Sequence, residues 1–180
     1  MSRIGKKPIQ IPKGVSVEVA KNEITVKGPK GVLSLNLHPD LRVLLTDDIL
    51  SVSIERSTKR SSALWGLYRN LIFNAVQGVS AGFEKKLEFE GIGYKASVEG
   101  DTLLMQLGFS HPVVVKAPEG IRISVEKNVI TVAGINKELV GNVAAGIKRL
   151  KPPEPYKGKG IRYKGEVIKR KAGKKAVAAG

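Results

Sequence analysis

Pro12-Lys-Gly-Val-Ser-Val-Glu-Val-Ala-Lys-Asn-Glu-Ile-Thr-Val-Lys-Gly28 recurs without a gap as Pro118-Glu-Gly-Ile-Arg-Ile-Ser-Val-Glu-Lys-Asn-Val-Ile-Thr-Val-Ala-Gly134. Nine of the 17 positions are identical, and Val15/Ile121 and Val17/Ile123 differ conservatively. A block that returns in this way marks an internal duplication. In each copy Val15-Val17-Val19 or Ile121-Ile123-Val125 alternates with polar residues, the period of a half-buried strand. Lys21-Asn22 and Lys127-Asn128 predict the turn, because Asn tolerates left-handed backbone angles. The β-branched runs Ile24-Thr25-Val26 and Ile130-Thr131-Val132 return as the second strand, and Gly28 and Gly134 end it. The unit reads as a tight antiparallel hairpin, used twice.

A helix is expected after each hairpin. Asn136 is placed to cap the second, with Glu138 in its first turn where the helix dipole favours an acid. Leu139, Val140, Val143, Ala144 and Ile147 form its apolar stripe, and Pro152-Pro153 stop it. In the first half the strand-like runs 31–37, 42–46 and 49–54 come first. A helix then starts near Ser57 or Thr58, with Leu64, Leu67, Tyr68, Leu71, Ile72, Ala75 and Val76 on one face and Gly78 as terminator. Trp65, Tyr68 and Phe73 lie at or near that stripe and read as core. Further strand-like runs span 83–90, 94–98, 102–107 and 112–116.

The fold class is therefore α+β: two tandem homologous domains, each a small antiparallel sheet packed with one main helix. Residues 1–81 are expected to form the first, 82–152 the second, and 153–180 a basic extension ending in a flexible tail.

Composition narrows the function. The 180 residues carry a net charge of +15, which points to a polyanion as partner. From Lys148 onward stand 12 Lys or Arg against Glu154 and Glu166, so two thirds of the excess charge lies in the last 33 residues. The absence of cysteine excludes disulfides and thiolate metal sites. No secretory h-region opens the chain and no apolar run approaches a membrane span, so a soluble, cytoplasmic protein is expected.

Catalytic chemistry finds little support. His38 and His111 each precede a proline, lack a local partner set and read as turn or surface residues. Gly-x-Ser-x-Gly and Walker A patterns are missing, and the acids are scattered. Gly91-Ile-Gly93 imitates a dinucleotide fingerprint but lies between strands rather than opening a helix, so it reads as a bulge or tight bend. Gly28-Pro-Lys-Gly31 has the spacing of an RNA-clamping loop, yet links strands and reads as a turn. The chain is expected to be no enzyme and to use no cofactor or metal.

The stretch Pro153-Glu-Pro-Tyr-Lys-Gly-Lys-Gly-Ile-Arg-Tyr-Lys164 is different in kind. Its cations can reach phosphates, and its two tyrosines can stack on bases or pack internally. Lys151, Pro153, Tyr156, Lys157, Gly158, Lys159, Gly160, Arg162, Tyr163, Lys164, Lys169, Arg170 and Lys171 are the candidate RNA-binding residues. Arg69 and the basic arm Arg3, Lys6 and Lys7 join them, Arg69 being equally readable as a solvated surface side chain.

These residues also resemble the bacterial large-subunit ribosomal protein L-six family. The resemblance rests on Met1-Ser-Arg-Ile-Gly-Lys-Lys-Pro8, on Gly91-Ile-Gly-Tyr-Lys-Ala96 leading into Gly108-Phe-Ser-His-Pro-Val113, and most specifically on Pro153-Glu-Pro-Tyr-Lys-Gly-Lys-Gly-Ile-Arg-Tyr163. It implies two duplicated α+β domains and binding of 23S ribosomal RNA, mainly through the C-terminal domain and its extension. It also implies neighbouring large-subunit proteins as partners, and a place near the stalk base and the sarcin–ricin loop, close to docking translational GTPases. A two-domain adaptor whose basic tail meets an acidic protein is the alternative.

Overall fold

Alternating strands with short Gly-rich turns fill each half of the chain before its single long helix. The computed structural model describes residues 3–20 and 23–171. In chain order the elements are β1 (Ile9–Gln10), β2 (Ser16–Val19), β3 (Glu23–Gly28), β4 (Gly31–Asn36), β5 (Leu41–Thr46), β6 (Ile49–Ile54) and α1 (Ser61–Ser80). Then follow β7 (Phe83–Glu90), β8 (Lys95–Glu99), β9 (Thr102–Gln106), β10 (Val113–Lys116), β11 (Ile121–Glu126), β12 (Val129–Gly134), α2 (Lys137–Leu150) and β13 (Gly160–Tyr163). The chain divides into two units: one runs to Phe83 and includes Gly134–Lys137, the other comprises Glu84–Ala133 and the residues from Glu138 on.

In the first unit, β2, β3 and β4 form one antiparallel sheet and β1, β6 and β5 another. The repeat's hairpin pairs Val17 with Val26 and Val19 with Ile24, which puts Val17, Ile24 and Val26 on the buried face. Helix α1 packs against β3, β4, β5 and β6, so one helix serves both sheets. Ile72, Ala75, Val76 and Val79 enter a core shared with Ile9, Leu41, Val43, Leu50 and Val52. The second unit repeats the plan with the sheets β11-β12-β7-β13 and β10-β9-β8. Val140, Ala144 and Ile147 are the buried face of α2.

Several local expectations are corrected. Helix α1 begins at Ser61, because the buried Ser61 hydroxyl donates to the Arg56 carbonyl (2.7 Å) and accepts from the Thr58 amide (2.7 Å), holding residues 56–60 in a turn. It passes through the buried Gly78 and ends at Ser80. The Ala81 and Gly82 amides both reach the Gln77 carbonyl, and Gly82 takes φ +77°, which glycine alone adopts without strain. Leu67 lies 52% exposed and Leu139 is also exposed, so each stripe is narrower than its spacing suggests. In the second hairpin Lys127, not Asn128, carries the positive φ of 53°. The first hairpin's turn, Lys21-Asn22, lies outside the described residues. Gly28 and Gly31 face each other across a two-residue turn, and Gly91–Gly93 is a tight bend with φ +73° at Gly93.

Two strands were not foreseen. One is the short β1, paired through Ile9↔Leu50. The other is β13, which makes residues 160–163 an edge of the second unit's sheet rather than part of an extension beyond it. Among the described residues, no helix is long and apolar enough to cross a membrane.

Close packing between β3 and α1 gives a test. A Cβ on Gly28 would come 2.7 Å from the Val79 carbonyl oxygen, whereas one on Gly146 of α2 would meet nothing within 4 Å. Gly28→Ala should lower stability by about 1–3 kcal/mol, and Gly146→Ala should raise it by about 0.5–1 kcal/mol. Denaturant titration of both variants checks the pair.

Candidate nucleic-acid interface

Beyond α2 the chain must turn back, since Pro152 and Pro153 cannot continue the helix. It closes a loop on itself. The Ile161 amide donates to the Lys151 carbonyl (2.8 Å), that of Glu154 to Lys159 (2.8 Å) and that of Gly158 to Glu154 (2.9 Å). Gly160 sits at the crossing with φ +140°, and a Cβ there would lie 2.6 Å from both the Pro152 oxygen and the Pro153 Cα. The chain then enters β13, antiparallel to β7 in the register Ile161↔Phe89, Arg162↔Glu88 and Tyr163↔Leu87. Ile161 is fully buried. The Lys171 amide donates to the Pro155 carbonyl (2.9 Å), and the Arg170 guanidinium lies against buried Gly158. Lys169, Arg170 and Lys171 are thus held beside the 155–158 turn.

This anchoring sorts the predicted residues into two groups. One is turned to internal work. Arg162 pairs with Glu88 (3.6 Å) and Glu90 (3.3 Å) across the β13–β7 ladder. The half-buried Tyr163 ring has the Lys148 ammonium 4.8 Å and the Lys85 ammonium 5.9 Å from its centroid. Lys148 is bonded to Glu166 (2.6 Å), whose other oxygen accepts from the Tyr163 amide (2.9 Å). The Lys148 hydrogen bond, and then that of the Tyr163 amide, hold the Glu166 carboxyl below the usual glutamate range. Lys151 places its ammonium 4.6 Å over the Phe109 ring. Pro153, Gly158 and Gly160 shape the loop.

The other group faces outward. Tyr156 is 54% exposed, and Lys157, Lys164, Lys169, Arg170 and Lys171 are exposed while Lys159 is half-buried. None of these six cations makes an ion pair among the described residues. The remainder of the tail, residues 172–180, lies outside the described part of the chain.

Arg69 belongs elsewhere. Its Nε donates to the Lys7 carbonyl (3.1 Å) and a terminal nitrogen to the Pro8 carbonyl (3.2 Å), while the guanidinium lies 4.9 Å over the Phe73 ring. A side chain so committed straps the N-terminal arm to α1. The arm also lies on Trp65: a Cβ on Gly5 would fall 2.5 Å from the indole, whose nitrogen donates to the Val52 carbonyl (2.6 Å). Arg3, Lys6 and Lys7 remain exposed. Phe73, placed in the core by its spacing, is 38% exposed beneath Arg69.

The histidines are as plain as their sequence context. His38 accepts from the Asp40 amide (3.2 Å) in a turn, and His111 is exposed. Among the described residues no three His, Asp or Glu side chains group as metal ligands. Phe109, an exposed aromatic outside the basic segment, is not among the expected binding residues; in the sequence it stands within the family-like run Gly108-Phe-Ser-His-Pro-Val113.

Comparison with known proteins agrees with this architecture. A family model described as "Ribosomal protein L6" matches twice, over residues 11–82 and 90–164, once in each half of the duplication. The chain is 55% identical to the large ribosomal subunit protein uL6 of Syntrophomonas wolfei, over 97% of this chain and 98% of the relative. It is 52% identical to that of Synechococcus sp. (99% of both) and 54% identical to that of Thermomicrobium roseum (97% and 96%). Duplicated fold and comparisons together define a structural ribosomal protein, not an enzyme. The chain belongs to the ribosomal protein L6 family, uL6 of the large subunit, a component of the cytoplasmic ribosome in bacteria.

Two contacts can be tested directly. Glu166, with its depressed pKa, contributes stability that is present above the ordinary glutamate value of about 4.3 and lost as pH falls through the lower folded value. Glu166→Gln should therefore melt below the unaltered protein at pH 7, with the gap closing as the pH drops below about 4; melting curves across pH read this. Arg69→Ala removes both bonds to the arm, so trypsin should cut after Arg3 or Lys6 several-fold faster, as followed by mass spectrometry, with the remaining chain still folded.

Proposed function

We propose that this protein binds 23S ribosomal RNA through the outward group of its C-terminal segment. The observation that carries the reading is the anchoring itself. The backbone from Lys151 to Tyr163 is fixed by the β13 ladder and the closed loop, while Tyr156 and five exposed cations face out with Lys159 half-buried among them, none of the six in an ion pair among the described residues. Lys157, Lys159, Lys164, Lys169, Arg170 and Lys171 neutralise phosphates, and Tyr156 stacks on a base or ribose. Arg162 and Tyr163 hold the segment in place rather than meet the ligand, as their partners Glu88, Glu90, Lys85 and Lys148 indicate. Arg3, Lys6 and Lys7 on the strapped N-terminal arm form a smaller, separate contact.

The same reading puts the protein near the stalk base and the sarcin–ricin loop, beside neighbouring large-subunit proteins and close to where translational GTPases dock. Its support is the resemblance of Pro153–Tyr163 to the family's signature. A protein-binding adaptor is disfavoured by the charge of the segment: among its described residues Lys157, Lys164, Lys169, Arg170 and Lys171 are exposed against the single exposed acid Glu154.

Phosphate neutralisation fixes the salt response. With six phosphates contacted, log K should fall with log salt at a slope of roughly −4 to −5. Lys157→Gln should flatten the slope by about 0.7–0.9, whereas Tyr156→Leu should weaken binding and leave the slope unchanged. Filter binding to 23S ribosomal RNA between low and physiological salt measures both, and a flat response of the unaltered protein would refute the mechanism.

A further inference from the structure

The outward cations do not exhaust the second unit's exposed chemistry. Phe109 stands 45% exposed in the loop between β9 and β10. A single exposed apolar ring is common and by itself means nothing. Phe109, however, is not alone. The His111 ring lies 22° from parallel to it with centroids 6.5 Å apart, and the Lys151 ammonium sits 4.6 Å from its centroid. Two flat rings with a cation over one of them are what an unstacked base meets on proteins that read looped or single-stranded RNA.

The loop is also held in shape. Leu107 at its start is fully buried. Gly108 has φ +76°, and a Cβ there would come 3.6 Å from Tyr94, so the Tyr94 ring backs the loop. That ring in turn occupies the space over Gly91, where a Cβ would lie 2.6 Å from it. A ring displayed on a braced loop loses little conformational freedom on binding, which favours affinity.

Two observations favour RNA over protein as the occupant. The loop Leu107–Pro112 contains no acidic residue, and the cation over the ring is Lys151, whose carbonyl closes the basic loop through the Ile161 amide. The aromatic pair is thus continuous with the segment of highest positive charge.

We propose that Phe109, with His111 beside it and Lys151 over its face, is a stacking platform for an unpaired base of the ribosomal RNA. The inference rests on the RNA-binding reading above and adds a contact outside its basic segment. Stacking is not ionic, so its signature separates from that of the lysines. Phe109→Leu in the full chain should weaken binding to 23S ribosomal RNA by about 5- to 100-fold, with the salt slope unchanged. Phe109→Tyr, which keeps a flat ring, should bind within about two-fold of the unaltered protein. Circular dichroism and melting of both variants establish that the fold is kept.

Equal affinity of Phe109→Leu and the unaltered protein overturns the inference while leaving the RNA reading intact. Unchanged RNA affinity combined with loss of the variant from large subunits on a gradient also overturns it, in favour of a protein neighbour. If the unaltered chain itself fails to bind the RNA, the broader reading falls, and the platform with it.

Discussion

The pairing of β13 with β7 is the constraint on which the functional half of this structure depends. Four residues of backbone, Gly160 to Tyr163, add an edge to a sheet whose other strands belong to the duplicated unit. Burial of Ile161 alone is worth about 1.5–3 kcal/mol, and the ladder fixes alternate side chains to opposite faces. The described residues after α2, including the loop at Pro152–Lys159 and the return of Lys171 to Pro155, are positioned by that one docking. A lysine-rich sequence that would otherwise be a solvated tail becomes a surface with defined neighbours.

Docking also explains why charge count and charge use diverge. Arg162 lies opposite Glu88 in the register and reaches Glu90, so its charge is met within the sheet. Lys148 is shared between Glu166 and the Tyr163 ring. These partners come from β7, α2 and the stretch after β13, and only pairing of those elements brings them together. The cations left over lie on the turn and the segment after it, and none of them makes an ion pair among the described residues. The first set keeps the surface that carries the second in place.

In the first unit the same logic acts on the N-terminal arm. A helix shared by two sheets leaves its outer face to be covered, and the arm covers part of it with Gly5 on Trp65 and the carbonyls of Lys7 and Pro8 on Arg69. In the sequence Arg69 reads equally as a surface cation, because its only local acceptor is the neighbouring Asn70 side chain (3.4 Å). Its other partners are backbone carbonyls some 61–62 residues away. Phe73 was misplaced for a related reason: its apolarity serves the guanidinium above it rather than the core.

The duplication, the hairpins, the two helices and the basic character of the C-terminal segment were all legible in the sequence. Each depends on a short-range signal: a repeated block, a period of two or of 3.6, a proline stop, a local excess of lysine. The β13 strand was not legible, because Gly160-Ile-Arg-Tyr163 is short and starts with a glycine, and its strand character comes from a partner over 70 positions away. Nor could the sequence say which of Tyr156 and Tyr163 faces out, since both sit among lysines in the same stretch. The tertiary structure decided that, by giving Tyr163 a register position on a sheet and leaving Tyr156 on a turn. Local order in this protein is written in local spacing, whereas the face that each cation and ring presents is set by pairing between distant strands.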